Sequence, residues 1–336
     1  MNICNVNIEK DVLLIAEIGN NHEGDIVLAH EMIAAAAEAG AHVAKFQTIT
    51  PEHLVTADQV DRLAQLKGFC FSPDQIYELS KTAKRHGVGF MSTPFSKTAV
   101  DVLDPIVPAF KIASSDNDYL PLLQHVARTG KPVMVSTGLC DYGQALKVRE
   151  VFKTTWQEEG IKNGKLILLH CVTSYPTPPN EASLGAINAL KKIGVPVGYS
   201  DHTLGIEAAA LSVAMGARVI EKHFTLNKEN STFRDHQLSA DPADMAELSR
   251  RIKEILTLVG DQVKTVMPAE KAIEKAVRRG VYAARDLAVG DVLQDEDVDC
   301  LRPRIDFSPM DLPKFLGKPL RRTLSKGAAL SEEDFN

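Results

Sequence analysis

The sequence predicts a parallel (β/α)8 barrel followed by a small second domain. Eight short apolar segments begin near residues 12, 42, 88, 109, 132, 166, 197 and 217, and segments with helical spacing of apolar residues lie between most of them. Such alternation is typical of a parallel sheet that is covered by helices. An open doubly wound sheet is the alternative, but no glycine-rich dinucleotide motif follows the first strand.

The first half of the predicted barrel begins with a buried strand over 12–18, which runs into a polar, turn-rich loop. Asp25 is a suitable N-cap for a helix over 26–39, and Gly40 ends that helix. The other elements of this half are a strand over 42–46, a long connection over 48–72, a helix over 73–85, and strands over 88–91 and 109–112.

The second half repeats the same alternation. Its elements are a helix over 120–127, a strand over 132–135, a helix over about 142–152, a strand over 166–169, a helix from about 183, strands over 197–199 and 217–220 with a helix over 204–215 between them, and a helix over about 242–258. We therefore assign the barrel to 1–260. A polar linker over 261–276 follows, and the β-like segments of 277–336 form the second domain.

Composition excludes several classes of protein. The net charge is 38 − 44 = −6 over 336 residues, which does not indicate a nucleic-acid or anionic-membrane partner. Five cysteines are widely spaced and form no CxxC pair, which favours free thiols in the cytoplasm. The early apolar run over 12–16 is too short for a signal peptide, and no stretch is long enough to span a membrane.

Two histidines end neighbouring predicted strands. His202 follows the strand over 197–199, and His223 lies just after the apolar strand segment over 217–220. Since strand side chains alternate, Glu221 and His223 share a face and Lys222 points the other way. Two histidines and a carboxylate at one end of a sheet indicate a metal site. The alternative is a pair of histidines that only hydrogen-bond to the backbone.

Two lysines also lie at strand ends in apolar surroundings. Lys45 and Lys111 could be paired with carboxylates in a structural role, could form a Schiff base, or could clamp an anionic substrate. The hydroxyls of Thr93, Ser114 and Ser200 fall at the same barrel end, and together with the lysines they suit a phosphate and a carboxylate. No GxxxxGK[ST] loop is present, so a nucleoside triphosphate site is not expected.

Three further side chains near these strand ends could take part. Glu17 interrupts an apolar strand, and it could be a general acid or base or the partner of a lysine. Asp235, in a loop after the last strand, could reach the same place. We interpret Cys171 as a small packed residue rather than a nucleophile, because no base other than His170 is evident beside it.

Several motifs in a fixed order resemble one family of enzymes. The chain is similar to the sialic acid synthases and their relatives that make legionaminic, pseudaminic and spore-coat nonulosonic acids, and its tail resembles their antifreeze-like (SAF, β-clip) domain. The matching stretches are AEIGNNHEGD (16–25), AKFQT (44–48), MSTPFS (91–96), FKIASSD (110–116), LLHCVTSYPTPP (168–179), GYSDHTLG (198–205), IEKHFTL (220–226), VRRGVYAARDLAVGDVL (277–293) and LRPR (301–304).

The resemblance implies a condensation in which C3 of phosphoenolpyruvate attacks the aldehyde of an N-acetylated amino sugar. Water then adds at C2, and phosphate leaves by C–O cleavage. His202 and His223 would hold a divalent metal, commonly Mn²⁺, with Mg²⁺ or Co²⁺ as alternatives. The resemblance places phosphoenolpyruvate against Lys45, Thr93, Lys111, Ser114 and Ser200, and it places the sugar or water against Glu17, Gln47, Tyr175 and Asp235. Glu221 would support the metal through water.

Two departures from the family pattern leave the acceptor sugar open. Thr173 stands where sialic acid synthases proper tend to have Asn, and TFRDHQLS (232–239) replaces a more usual Gly-Pro-Asp run with Phe233-Arg234-Asp235. N-acetylmannosamine and a 2,4-diacetamido-trideoxyhexose are both candidates. The resemblance also implies a domain-swapped homodimer in which Arg302 reaches the partner subunit's site.

Two other functions compete with the synthase. One is a different metal-dependent barrel enzyme acting on sugars, such as an aldolase or isomerase, although those usually offer more carboxylate ligands. The other is an ice- or carbohydrate-binding protein in which the tail is the active module. The polar strand ends argue against a passive barrel.

Overall fold

A computed structural model describes residues 1–229, 235–261 and 263–335. The chain divides into two compact units, Met1–Gly260 and Asp261–Asn336. The stretch predicted as a linker belongs to the second unit, and it contains two one-turn helices, Pro268–Lys271 and Glu274–Val277.

The N-terminal unit is built on eight parallel strands, preceded by a hairpin of β1 (Asn2–Ile3) and β2 (Val6–Asn7). Their spatial order is β5-β4-β3-β10-β9-β8-β7-β6, and the end strands β5 and β6 also lie against each other, which closes the barrel. Each strand begins within two residues of its predicted start, so the predicted barrel is confirmed. The strands are β3 (Leu13–Gly19), β4 (Val43–Thr48), β5 (Gly89–Pro94), β6 (Phe110–Ile112), β7 (Val133–Ser136), β8 (Leu166–Cys171), β9 (Val197–Asp201) and β10 (Val219–His223).

Strand alternation divides the core into two layers. Inward side chains such as Leu13, Met91 and Ile167 fill the barrel, and Ile3 and Val6 of the hairpin pack against the same cluster. Outward side chains pack against the surrounding helices. Because both faces are covered, the strands are almost wholly buried, which explains their continuous apolar runs.

The helices follow the predicted order, with three additions, Val60–Gly68, Lys97–Leu103 and Asp235–Leu238. Asp25 caps the first helix, since its Oδ1 accepts hydrogen bonds from the backbone N–H groups of Val27 (2.8 Å) and Leu28 (3.2 Å). The long connection over 48–72 contains a helix, Val60–Gly68, that was not predicted, because its only buried residue is Leu66, too few to give an apolar stripe. The short helix after β5 was also missed. The barrel helices are Ile26–Glu38, Val60–Gly68, Pro73–Arg85, Lys97–Leu103, Leu120–Arg128, Tyr142–Glu158, Ala186–Lys191, Glu207–Ala214, Asp235–Leu238 and Pro242–Val259.

None of the helices that the structure describes combines the length and apolar character needed to cross a lipid bilayer.

The second unit pairs the strand Gly280–Ala283 antiparallel with Val298–Leu301 around a small apolar core. Asp297 is buried at the edge of that core and is paired with Arg285, whose Nε lies 2.7 Å from Asp297 Oδ1.

Candidate active site

Parallel register brings the predicted polar residues together at the carboxyl ends of the strands. Glu17 on β3 is the register partner of Lys45 on β4 and of His223 on β10. Glu221 is likewise the partner of Ser200 on β9. These side chains therefore meet at one end of the barrel, where (β/α)8 enzymes have their active sites. We call this region the barrel mouth.

Two lysines and two glutamates form one buried network in the barrel mouth. Lys45 Nζ lies 2.5 Å from Glu17 Oε2 and 3.4 Å from Glu221 Oε2, and Lys111 Nζ lies 3.2 Å from Glu221 Oε1. All four residues are at least 95% buried. The formal charges cancel, as burial requires. The lysines thus lie in the barrel mouth, as a role in binding an anionic substrate requires. They also have carboxylate partners, as a structural ion pair requires.

Neutral side chains complete this network. Lys45 Nζ donates to Thr93 Oγ1 at 3.1 Å, and Ser200 Oγ donates to Glu221 Oε1 at 2.8 Å. Gln47 Nε2 donates to Glu17 Oε1 at 3.4 Å and is itself held through its Oε1 by Asn20 Nδ2 at 2.9 Å. Asn20 was not predicted; its only signal was its place in the polar loop after the first strand.

The two glutamates have opposite protonation tendencies. Burial raises the pKa of Glu17, and the negative charge of Glu221 reinforces that rise against the opposing effect of Lys45. Burial also acts on Glu221, but Lys111 and Lys45 outweigh it and hold the pKa of Glu221 well below its ordinary value. Carboxyls whose pKa values are pushed apart are suited to different roles, one carrying a proton and the other a fixed negative charge.

The two predicted histidines lie side by side in the barrel mouth. Their ring centroids are 5.5 Å apart, and the Tyr175 ring is 4.1 Å from that of His202 and 6.0 Å from that of His223. His202 Nδ1 lies 2.8 Å from the Val172 carbonyl oxygen, which can only accept, so Nδ1 carries a proton, and in the neutral form of the ring Nε2 has the free lone pair. Metal-binding histidines are typically oriented in this way.

The properties of these histidines fit a metal site. Burial lowers the pKa of His223 well below its ordinary value, so the ring is neutral and able to act as a ligand. Its Nδ1 is buried and makes no hydrogen bond to any described residue. Among the described residues no third His, Cys, Asp or Glu joins the two histidines in a group that could hold a metal ion, and Glu221 is bound by the lysines. The two histidines would be the protein ligands.

A cluster of hydroxyls lies around Gly138, just after β7. The Gly138 N–H donates to Ser114 Oγ at 3.0 Å, and a Cβ added at Gly138 would lie 2.1 Å from Thr173 Oγ1. Ser136 Oγ and Thr173 Oγ1 are buried and make no hydrogen bond to a described residue. Unpaired buried hydroxyls at the same strand ends as the lysines are suited to the oxygens of a phosphate. The strand-end position of Ser136 already indicated a hydroxyl for an anion, whereas Gly138 had not been assigned a role.

If the anion is the phosphoenolpyruvate that the sequence resemblance implies, we expect Gly138→Ala to weaken its use at least about tenfold, since the change displaces hydroxyls that would bind it. Steady-state kinetics with phosphoenolpyruvate varied would measure this. Gly68→Ala is the matched control, because a Cβ there meets no atom within 4 Å. An unchanged Michaelis constant and turnover for phosphoenolpyruvate in a folded Gly138→Ala protein would contradict the assignment.

Cys171 lies beside a histidine that the sequence did not indicate as its neighbour. Its Sγ lies 3.8 Å from His202 Nδ1, whereas His170 turns outward, with Nε2 2.8 Å from the Ala182 carbonyl oxygen. Burial raises the pKa of the Cys171 thiol, but the hydrogen bond and charge of His202 outweigh burial and lower it overall. The expectation that only His170 could stand beside this thiol was therefore wrong.

Asp235 begins the one-turn helix Asp235–Leu238, which is held at the rim of the barrel mouth. His236 in that helix is buried between Thr225 Oγ1 (2.7 Å from Nδ1) and Glu23 Oε1 (3.1 Å from Nε2). Burial raises the pKa of Tyr175, and the negative charges of Cys171 and Asp235 raise it further. Phe233 and Arg234 lie outside the described residues. Arg302 is exposed in the second unit.

The two units correspond to two known kinds of domain. Residues 32–264 match the NeuB family, and residues 278–336 match the SAF domain. This chain belongs to the NeuB family. It is 36% identical over 332 residues to the N,N'-diacetyllegionaminic acid synthase of Legionella pneumophila, covering 94% of this chain and 92% of that one. It is 35% identical over 355 residues to a pseudaminic acid synthase of Campylobacter jejuni, covering both chains fully.

A solved NeuB structure has the same fold. The N-acetylneuraminic acid synthetase of Leptospira borgpetersenii, crystallised with citrate, has a TM-score of 0.75 and 32% identity, covering 81% of this chain and 94% of that one. The named relatives make different nonulosonic acids, and the 36% and 35% identities are nearly equal. Overall identity therefore does not select the acceptor sugar for this NeuB chain.

Proposed function

We propose that this NeuB chain is a nonulosonic acid synthase, which condenses phosphoenolpyruvate with an N-acetylated amino sugar and releases phosphate. One observation carries the proposal: the lysine–glutamate network, the hydroxyl cluster around Gly138 and the pair of histidines all lie at one barrel mouth. Such an arrangement can hold a phosphorylated acid beside an electrophile. Membership of the NeuB family supports the same reaction.

The donor substrate would be bound by charge and by hydroxyls. Lys45 and Lys111 are suited to the carboxylate and phosphate of phosphoenolpyruvate, with Thr93, Ser114, Ser136, Thr173 and Ser200 as further hydrogen-bonding groups. Glu221 stays ionised between the lysines and keeps them in position before the substrate binds.

The proton transfers fit Glu17. Attack by C3 turns the aldehyde oxygen into a hydroxyl group, which takes up one proton, and addition of water at C2 releases one. Glu17 has a raised pKa, so its carboxyl group can give the first proton and its carboxylate can accept the second. Gln47, Tyr175 and Asp235 are proposed to orient the sugar and the incoming water.

His202 and His223 would hold a divalent cation, which we propose is Mn²⁺, with Mg²⁺ or Co²⁺ as alternatives. When bound, the cation supplies Lewis-acid polarisation of the sugar aldehyde. Glu221 is on the same strand face as His223 and could act on a water of that cation. The Val172 carbonyl keeps Nε2 of His202 free for this purpose.

The acceptor is tested with a panel of amino sugars and phosphoenolpyruvate, read by mass spectrometry of the nonulosonate and by release of phosphate. We expect phosphate release only when both substrates are present, with N-acetylmannosamine or a 2,4-diacetamido-trideoxyhexose as the productive sugar. Isomerisation of a sugar without phosphoenolpyruvate would instead support the alternative barrel enzyme. Binding of sugar or ice without any turnover would support the tail-module function.

We further propose a domain-swapped homodimer in which Arg302 acts on the partner subunit's site, near the sugar's N-acyl group. Arg302 is exposed in the second unit and is free of an ion pair among the described residues, so it is accessible to a second chain. The barrel offers exposed apolar side chains on two mouth loops, Tyr119 and Leu139 among them, the latter 80% exposed. Such side chains are suited to a docking surface.

We also propose the cytoplasm as the location, which the five free thiols favour.

Mixing two inactive chains tests the trans arrangement. His202→Ala and Arg302→Ala proteins are refolded together, and synthase activity is measured. If Arg302 acts in trans, mixed dimers contain one site with an intact His202 and an intact Arg302, and activity returns. Proven heterodimers without activity would exclude the trans arrangement, as would an Arg302→Ala chain that is fully active alone.

A further inference from the structure

A second, separate ion pair lies on the outer face of the strands that carry the two histidines. Lys222 Nζ lies 3.0 Å from Asp201 Oδ2, and both side chains are completely buried. The two residues are register partners on β10 and β9. Each directly precedes a histidine, Asp201 before His202 and Lys222 before His223, so the pair lies behind the histidines rather than in the mouth.

The pair also binds the backbone of the loop that leaves β9. Lys222 Nζ donates to the Thr203 carbonyl oxygen at 2.5 Å, and Asp201 Oδ1 accepts from the Thr203 N–H at 2.9 Å. Thr203 directly follows His202. The backbone on both sides of His202 is thus attached to the residue that precedes His223, and one lysine ammonium makes the connection.

Stability alone does not explain this pair. The free energy of desolvating two buried charges offsets much of their mutual attraction. Apolar residues of similar size therefore often stabilise a core equally well. Its particular effect is geometric. The pair fixes the position of β9 relative to β10 at the residues directly before the two histidines. Residues that orient the ligands of a metal without binding it themselves commonly affect the affinity of the site for that metal.

We propose that Lys222 and Asp201 are positioning residues that set the separation and orientation of His202 and His223 for the divalent cation. This inference rests on the metal site of the proposed function. It assigns a role to two residues that do not touch substrate or cation.

The test measures binding of Mn²⁺ by the full-length protein, using the electron paramagnetic resonance signal of the free ion. The double variant Asp201→Asn/Lys222→Met removes both charges together and leaves no unpaired buried ion. We expect its dissociation constant for Mn²⁺ to rise about 10- to 100-fold. The matched control is Asp104→Asn/Lys131→Met, which removes a partly exposed pair just before β7, with Nζ and Oδ1 3.1 Å apart. We expect that control to bind like the wild type.

The outcomes separate the inference from the proposed function. A wild type that does not bind Mn²⁺ overturns the metal site and the inference with it. A wild type that binds Mn²⁺ and a double variant that binds it equally well overturn only the inference. A merely structural pair would lower the melting temperature and leave the affinity of the folded protein unchanged. If the double variant does not fold, Asp201→Asn alone, which keeps the side-chain shape, is measured in the same way, and unchanged affinity overturns the inference.

Discussion

Replacing either His202 or His223 by alanine is expected to lower kcat/KM by roughly 10³-fold, because Lewis-acid stabilisation is worth several kcal/mol. The fold should survive, since each ring lies at the mouth and not among the apolar layers of the barrel. A chelator should inactivate the wild type to the same extent, and Mn²⁺ should restore its activity. Initial rates with each substrate varied in turn, measured after dialysis against chelator, would show this.

The control for these variants is His125→Ala, a partly exposed histidine whose Nε2 lies 2.7 Å from Asp101 Oδ1 on the outer helices. It should keep full activity and lose at most a little stability. Melting curves of all three variants would separate loss of metal from loss of fold. A wild type that remains fully active after exhaustive removal of metal would refute the metal site.

Replacing Lys111 by methionine is expected to raise the Michaelis constant for phosphoenolpyruvate, or to lower kcat/KM, by about 10- to 150-fold. The loss corresponds to about 1.5–3 kcal/mol for a hydrogen bond to a charged group. The Michaelis constant for the sugar should change far less. The fold should tolerate the change, because Glu221 keeps Lys45 at 3.4 Å and Ser200 at 2.8 Å as partners.

Lys97→Met is the matched control for Lys111→Met, since Lys97 is an exposed lysine that begins the helix after β5. It removes one positive charge from the same barrel unit without touching the network. Substrate-varied kinetics of both proteins would distinguish a specific contact from a general electrostatic effect, which salt would also weaken. A Lys111→Met enzyme with unchanged constants for phosphoenolpyruvate would exclude Lys111 from the site.

Local sequence pattern was enough to locate the strands and the residues at their ends. Apolar runs recur where a parallel strand is buried on both faces, so strands such as β8 and β9 begin at their predicted residues, 166 and 197. The side-chain period of two also predicted that Glu221 and Lys222 face opposite ways, and the structure confirms this through their separate ion pairs. The helix Val60–Gly68 was missed because it buries almost nothing.

The sequence by itself determined the barrel, its chain order and a set of polar strand ends, because each depends on spacing along a few neighbouring residues. Only the tertiary structure decided which groups meet. The pairing of Lys111 with Glu221, the hydroxyls around Gly138, the approach of Cys171 to His202 and the attachment of Lys222 to Thr203 each join distant parts of the chain. Those distances depend on strand register and barrel closure. The opposite pKa shifts of Glu17 and Glu221 depend in turn on burial and neighbouring charge, which exist only once the barrel has closed.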